Sequence, residues 1–258
     1  MSDAAAQASP EPEAPSAHPW TQLPYEQWRL LRLAPLPVDS STGPRPLRFA
    51  QLALVERHSP NLSMLRLGVK LPDQAERKGC NTLEVWADHQ RLEVRFGPDS
   101  GLVTDPVNRG LGRFLLAQGI AWAKQRYAHY RVEGMALAAK DAVTEDSRGR
   151  RDHSLQAQGF EVSYLDPDRL KGRCNAASVA NLHSDWQFDK VQELQLLDAA
   201  AMLKQADNNL REQEVKIRER DERISALKRE DGTLRFSIAC LVTFCAFQAG
   251  LLIWIAAR

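Results

Sequence analysis

The residues best suited to hold a reacting group are Asn108-Arg109-Gly110-Leu111-Gly112-Arg113, which place two glycines two positions apart at the start of a helical pattern. Glycine lets the backbone come close to a ligand, and the first amides of a helix have no intrahelical acceptor. Such a turn therefore attracts phosphate oxygens. A Gly-x-Gly turn can equally serve only to cap its helix. Glu84 and Glu93, on strand-like stretches, are candidate general bases, although strand carboxylates more often face solvent. The run Arg148-Gly149-Arg150-Arg151 is basic enough to meet a phosphate or to be a solvated loop. His18, His58, His89, His129, His153 and His183 never pair at metal-ligand spacing, so no metal is expected. Cys80, Cys174, Cys240 and Cys245 make neither a zinc knuckle nor a redox pair, which suits a reducing compartment.

These residues need elements to position them. Leu47 to Val55 and Leu62 to Leu71 read as strands around the turn Arg57-His58-Ser59-Pro60-Asn61, and Thr82 to Trp86 and Leu92 to Phe96 as a second pair with alternating apolar side chains. Tyr25 to Leu33 is predicted as a short helix that stops before Pro35. After Gly101, Leu102-Val103-Thr104 reads as a short strand, Asp105 to Gly112 as a turn and Arg113 to Tyr127 as an amphipathic helix. Val132 to Ala139 follows as a strand, Asp141 to Arg151 as a polar loop, Asp152 to Gln158 as a short helix ending at Gly159, and Phe160 to Leu165 as a strand. A strand, a turn, a helix and a strand in that order join parallel neighbours. The expected fold class is α+β, with a mixed, mostly antiparallel sheet and flanking helices.

The stretch Asp105 to Leu116 resembles the pyrophosphate-binding motif of the GNAT N-acetyltransferase superfamily, and Ser154-Leu155-Gln156-Ala157-Gln158-Gly159-Phe160 resembles the segment in which that family ends a short helix in Gly-Phe before a strand. The likeness covers roughly residues 80–166. It implies a GNAT-like sheet, acetyl-coenzyme A as cosubstrate, and a cofactor-binding set of Asn108, Arg109, Gly110, Leu111, Gly112 and Arg113. It also implies direct attack of a small-molecule or protein amine on the thioester. Two positions depart from the family pattern. Val107 stands where the loop usually begins with Gln or Arg, and Leu155 where many active members carry the tyrosine that protonates the leaving thiolate. Tyr164 and His153 are the nearby candidates for that proton, and the catalytic residues stay unassigned.

Beyond this domain the pattern changes twice. Leu196, Leu203, Leu210, Ile217 and Ile224 recur every seven residues, with Ala199, Ala206, Gln213, Arg220 and Leu227 at the companion position, as in a parallel coiled coil with a polar middle. A homodimer through 196–227 is expected. Asp231-Gly232 is expected to interrupt the helix before the uncharged run Phe236 to Ala257, 22 residues with only Ser237, Thr243 and Gln248 polar. At 1.5 Å per residue that run reaches about 33 Å, enough for a single transmembrane helix. Lys228, Arg229 and Arg235 precede it and Arg258 follows, which predicts the N-terminal domain on the cytoplasmic side.

The chain has 258 residues, and Lys+Arg 34 against Asp+Glu 33 excludes a globally basic nucleic-acid binder; no specific nucleic-acid partner is expected. The Ala/Pro/Ser/Glu-rich opening lacks a secretory pattern and predicts a disordered tail over 1–18. The expected organisation is therefore tail 1–18, globular domain 19–185, stalk 186–232 and membrane anchor 233–258. Two functions fit it: a membrane-anchored acetyltransferase, its activity retained or lost, and a non-catalytic tail-anchored tether whose head binds a protein partner. A helix of Phe188 to Glu230 would reach about 65 Å, a length natural for a tether.

Overall fold

The computed structural model describes residues 18–39, 42–72, 77, 79–98, 101–137, 144–167, 169 and 171–257. The tail expected over 1–18 lies outside these residues except for His18. The chain divides into two units, Met1–Gln195 and Leu196–Arg258.

In the first unit, strands β1 (Gln27–Leu33), β4 (Arg48–His58), β5 (Leu62–Lys70), β6 (Thr82–Asp88), β7 (Glu93–Gly97), β8 (Arg131–Ala136), β9 (Glu161–Tyr164), β10 (Gly172–Ala176) and β11 (Val191–Leu194) form one sheet in the order β11-β1-β4-β5-β6-β7-β8-β10-β9. A small ribbon of β2 (Leu36–Asp39) and β3 (Gly43–Arg45) stands apart from it. Every neighbouring pair in the large sheet is antiparallel except β7 and β8, which run parallel and meet only at Glu93 with Arg131 and Val94 with Val132. Helices α1 (Leu111–Tyr127) and α2 (Glu145–Ala157) follow β7 and β8 respectively. The fold is thus α+β with a large, mostly antiparallel sheet.

The core forms where α1 lies on the sheet. Leu65 and Leu67 of β5, Leu83 and Val85 of β6 and Val94 and Phe96 of β7 bury the alternate side chains of their strands against Phe114, Leu115 and Ile120. Contact is closest at Gly119, where a Cβ would stand 2.8 Å from Val85 Cγ2 and 2.9 Å from Leu83 Cδ2. Gly119→Ala is therefore expected to destabilise the unit by about 1–3 kcal/mol through overpacking, measurable by urea unfolding at constant m-value. On the other face of β5, Arg66 donates to the carbonyls of Thr21 and Leu23, so residues 21–23 help to cover the central strand.

Several sequence expectations are corrected here. Tyr25 to Leu33 contains strand β1 rather than a helix. Its adjacent leucines mimic a helical stripe, yet only Leu31 and Leu33 enter the core, and β4 and β11 take its backbone bonds on either side. Leu102 to Thr104 is not a strand, because Val103 makes a single bridge to Cys80; the partner of β8 is β7. The helix expected over 152–158 starts earlier, at Glu145, because the Thr144 side chain accepts a hydrogen bond from the Ser147 amide at 3.2 Å and caps it. Residues 138–143, the end of one expected strand and the start of the expected loop, lie outside the described residues. Strand β11 falls inside the segment expected to be stalk from 186, where Val191 is buried in the core.

The second unit is one α-helix, α3, from Leu196 to Ala256. Asp231-Gly232 does not interrupt it. A single glycine in a helix costs about 1 kcal/mol, and the turn here is reinforced by an Asp231–Arg235 ion pair at 2.9 Å. The C-terminal part of α3 is long and apolar enough to cross a membrane.

Candidate functional site

The parallel strands β7 and β8 pair at two positions only. A groove of about 790 Å³ is lined by the loop after Gly101, the first turn of α1, the end of β8 and one side of α2. Its floor is apolar, with Leu102, Leu116, Met135 and Leu137, and its rim carries Arg45, Arg113, Arg150, Arg151 and Lys190 against Asp39, which pairs with Arg45 at 3.5 Å. An apolar trough with a cationic rim suits a ligand that has an uncharged arm and an anionic end.

The turn is built for close approach. Gly110 has φ +81°, a left-handed conformation that favours glycine, and caps α1 without any side-chain hydrogen bond. The first-turn amides of Leu111, Gly112 and Arg113 therefore have no partner within the helix. A Cβ at Gly112 would meet nothing nearer than Thr104 Cγ2 at 3.6 Å, so protein packing does not demand a glycine there. Asn81 holds the loop from beneath: its side chain donates to the Asp105 carbonyl at 2.7 Å and accepts from the Asp105 amide at 2.8 Å. Gln158, fully buried at the end of α2, donates to the Arg113 carbonyl at 2.9 Å and so fixes the first turn of α1 from the other side. Neither Asn81 nor Gln158 was legible as a site residue. Their partners are backbone groups 24 and 45 residues away.

Of the six residues expected to bind the cofactor, Asn108, Gly110, Leu111, Gly112 and Arg113 line the groove. Arg109 turns inward instead. The residue is 2% exposed, and its guanidinium donates to the carbonyls of Leu33, Ala34 and Pro46 at 3.2, 2.9 and 2.8 Å, which anchors the loop to the end of β1. Burial, with Arg48 and Arg45 nearby, lowers its pKa. Asn108 donates to Asp39 at 3.3 Å and Arg113 to the Asp185 carbonyl at 3.2 Å.

The proton-transfer candidates divide. His153 and Ser154 line the groove, and Leu155 beside them is buried. Tyr164 is not among the lining residues. Its hydroxyl donates to Asp152 and accepts from Arg151 at 3.0 Å, and burial and the Asp152 carboxylate raise its pKa. Glu84 and Glu93 alternate with core-facing Leu83, Val85 and Val94, so they face away from α1; Glu84 accepts from Trp86 Nε1 at 3.2 Å, and Glu93 borders a separate cavity of about 280 Å³ with Glu133.

A second constellation has the residue types of a nucleophilic triad. Glu56 Oε1 lies 2.5 Å from His58 Nε2, and His58 Nδ1 lies 2.9 Å from Ser63 Oγ. Ser63 is 1% exposed and also contacts His89 Nε2 at 2.8 Å and Tyr127 at 3.0 Å, so it is a structural clasp between β4, β5 and α1. Burial tends to raise the Glu56 pKa, but hydrogen bonds from Trp122 and His58 and the Arg126 charge hold it below the ordinary range. A carboxylate with a lowered pKa stabilises the fold above its unfolded-state pKa and loses that contribution as pH falls through the folded value. Glu56→Gln is accordingly expected to cost about 1 kcal/mol near neutrality, modest because the carboxylate is partly exposed, and the gap from wild type should close in denaturant titrations below pH 4.

Among the described residues no cluster of three or more His, Cys, Asp or Glu is placed to hold a metal ion. Comparison with protein-family models, with curated proteins and with solved structures gives no match for this chain.

Proposed function

We propose that the first unit binds a coenzyme A thioester in the groove beside the first turn of α1 and the end of β8 and transfers its acetyl group to an amine. The observation that carries this reading is the open groove lined by the uncapped, glycine-bearing first turn of α1 and by Met135 and Leu137 at the end of β8. A pyrophosphate on the amides of Leu111, Gly112 and Arg113 would gain the helix-terminus field and the rim arginines. The pantetheine arm would lie on Leu102, Leu116 and Met135. Its amides could pair with the strand edges beyond Val94 and Val132.

In the reaction the amine nitrogen attacks the thioester carbon, the carbon–sulfur bond breaks, and the electron pair leaves on sulfur. The amine loses a proton to solvent or a carboxylate, and the thiolate takes one from a neighbouring acid. His153 and Ser154 are the acids at the groove, since Leu155 has no proton to give and Tyr164 is committed to Asp152. The resemblance to the GNAT superfamily in residues 80–166 agrees with this reading. The apolar C-terminal part of α3 would hold the enzyme at a membrane, with the cytoplasmic orientation that Lys228, Arg229 and Arg235 favour.

The test is thiol release from acetyl-coenzyme A by the full-length protein in detergent, with lysine-bearing peptides and polyamines as acceptors. Amine-dependent release that falls at least about tenfold in His153→Ala or Ser154→Ala supports transfer. Coenzyme A binding without release against any acceptor supports the tether reading with an occupied but inert groove.

A further inference from the structure

Helix α3 continues through Asp231-Gly232 without a break, so the seven-residue frame of the stalk runs on into the apolar segment. The positions that follow Ile224 are Asp231, Ile238, Cys245 and Leu252, and those that follow Leu227 are Leu234, Leu241, Gln248 and Ile255. In the membrane segment almost any frame collects apolar residues, so the informative side chains are the polar ones. Ser237 and Thr243 are satisfied within the helix, donating to the carbonyls of Thr233 at 3.0 Å and Ala239 at 2.8 Å. Gln248 has no such bond among the described contacts, and its carboxamide carries two donors and an acceptor. By helical rise it sits within about 3 Å of the middle of the run 236–257. An unpaired amide at that depth is costly in hydrocarbon.

We infer that two copies of this chain associate in parallel along one seam that starts in the stalk and continues through the bilayer, with Gln248 of each copy hydrogen-bonded to Gln248 of the other. A second copy is the occupant that meets every requirement. It supplies an amide at the same depth, it covers the stripe of Leu203, Leu210, Ile217 and Ile224 that stands 72%, 59%, 58% and 49% exposed along the single helix, and a shared membrane forces its orientation to be parallel. In that register Lys216 faces Asp221 of the other copy, an attractive pair, while Arg223 faces Lys228, a repulsive one. A straight helix drifts about 20° per heptad, which a left-handed supercoil removes. Asp231, drawn to Arg235 of its own helix, is the weak point of the seam.

Cys245 and Cys240 provide the test, because the first lies on the seam and the second on the face that carries Ala246 and Gly250. The full-length protein with Cys80→Ser is placed in phosphatidylcholine vesicles and oxidised with copper phenanthroline. The reagent takes two electrons from two thiols, releases two protons and leaves a disulfide. Bridging requires Cα atoms closer than about 7 Å, which seam positions approach and outer positions do not. Covalent dimer should persist in Cys240→Ala and fall at least tenfold in Cys245→Ala. At limiting protein-to-lipid ratio, Gln248→Leu should lower the cross-linked fraction by about threefold to thirtyfold, the range of one interhelical hydrogen bond, and Gln248→Asn should retain most of it. Cross-linking that follows Cys240, cross-linking indifferent to Gln248→Leu, or no dimer in either the Cys240→Ala or the Cys245→Ala protein would each overturn the inference.

Discussion

Gly112→Asp is expected to lower coenzyme A affinity by a hundredfold or more while leaving the melting temperature unchanged or slightly raised. The two effects separate because the site and the fold ask different things of this position. For the fold, residue 112 is the second residue of α1, its added Cβ would sit at an ordinary 3.6 Å from Thr104 and 3.7 Å from Leu102, and an aspartate in a first turn gains about 0.3–1 kcal/mol from the helix dipole. For the ligand, the same carboxylate occupies the space and the amides that a pyrophosphate would take, and it repels the anion at contact distance. A hundredfold loss corresponds to about 2.7 kcal/mol, well within what one buried like-charge contact imposes. Calorimetric titration beside a thermal melt distinguishes this outcome from simple unfolding, and equal affinity in the two proteins would move the phosphate site away from α1.

Gly159→Ala should be the most damaging small substitution in the first unit. Gly159 has φ +87°, and its missing Cβ would stand 2.6 Å from the Asn181 carbonyl oxygen and 3.2 Å from Leu182 Cα, backbone atoms that cannot rotate away. The left-handed conformation costs a side chain about 1–2 kcal/mol and the clash adds to it. A total loss above about 3 kcal/mol is expected, a fall of roughly 6–12 °C in melting temperature for a unit of this size. The neighbouring Gln158 carries the bond to Arg113, so coenzyme A affinity should fall with stability here, unlike in Gly112→Asp. Gly149→Ala, in the exposed middle of α2 with nothing within 4 Å, is the control and should gain up to about 1 kcal/mol.

The strands most legible in the sequence were those whose burial shows in local pattern. The run Leu62 to Lys70, buried at seven consecutive positions, and the alternation of Leu83, Val85, Val94 and Phe96 announce themselves without any knowledge of partners. The glycine turn and α1 were legible because a conformational requirement at Gly110 and a helical stripe leave marks on residue types. Strand β1 was misread as a helix because its register is set by β4 and β11, the latter about 160 residues away. The short strand β11 was missed for the same reason, and β10, which pairs with nearby β9, because Gly172–Ala176 carries little apolar pattern of its own. Arg109 shows the limit within the site itself: beside a glycine turn at a helix start an arginine suggests an anion, and only the fold reveals three carbonyls already holding it. Continuity of α3 through Gly232 was hidden by reading Asp-Gly as a turn, whereas a long helix on both sides absorbs one poor residue.

The central claim is that the groove beside the first turn of α1 is a coenzyme A site, and isothermal titration of the full-length protein with coenzyme A addresses it most directly. Saturable binding of one coenzyme A per chain, competed by acetyl-coenzyme A, weakened by added pyrophosphate and reduced at least a hundredfold in Gly112→Asp, is the expected result. No heat of binding at millimolar coenzyme A, from protein whose melt shows an intact fold, would contradict it.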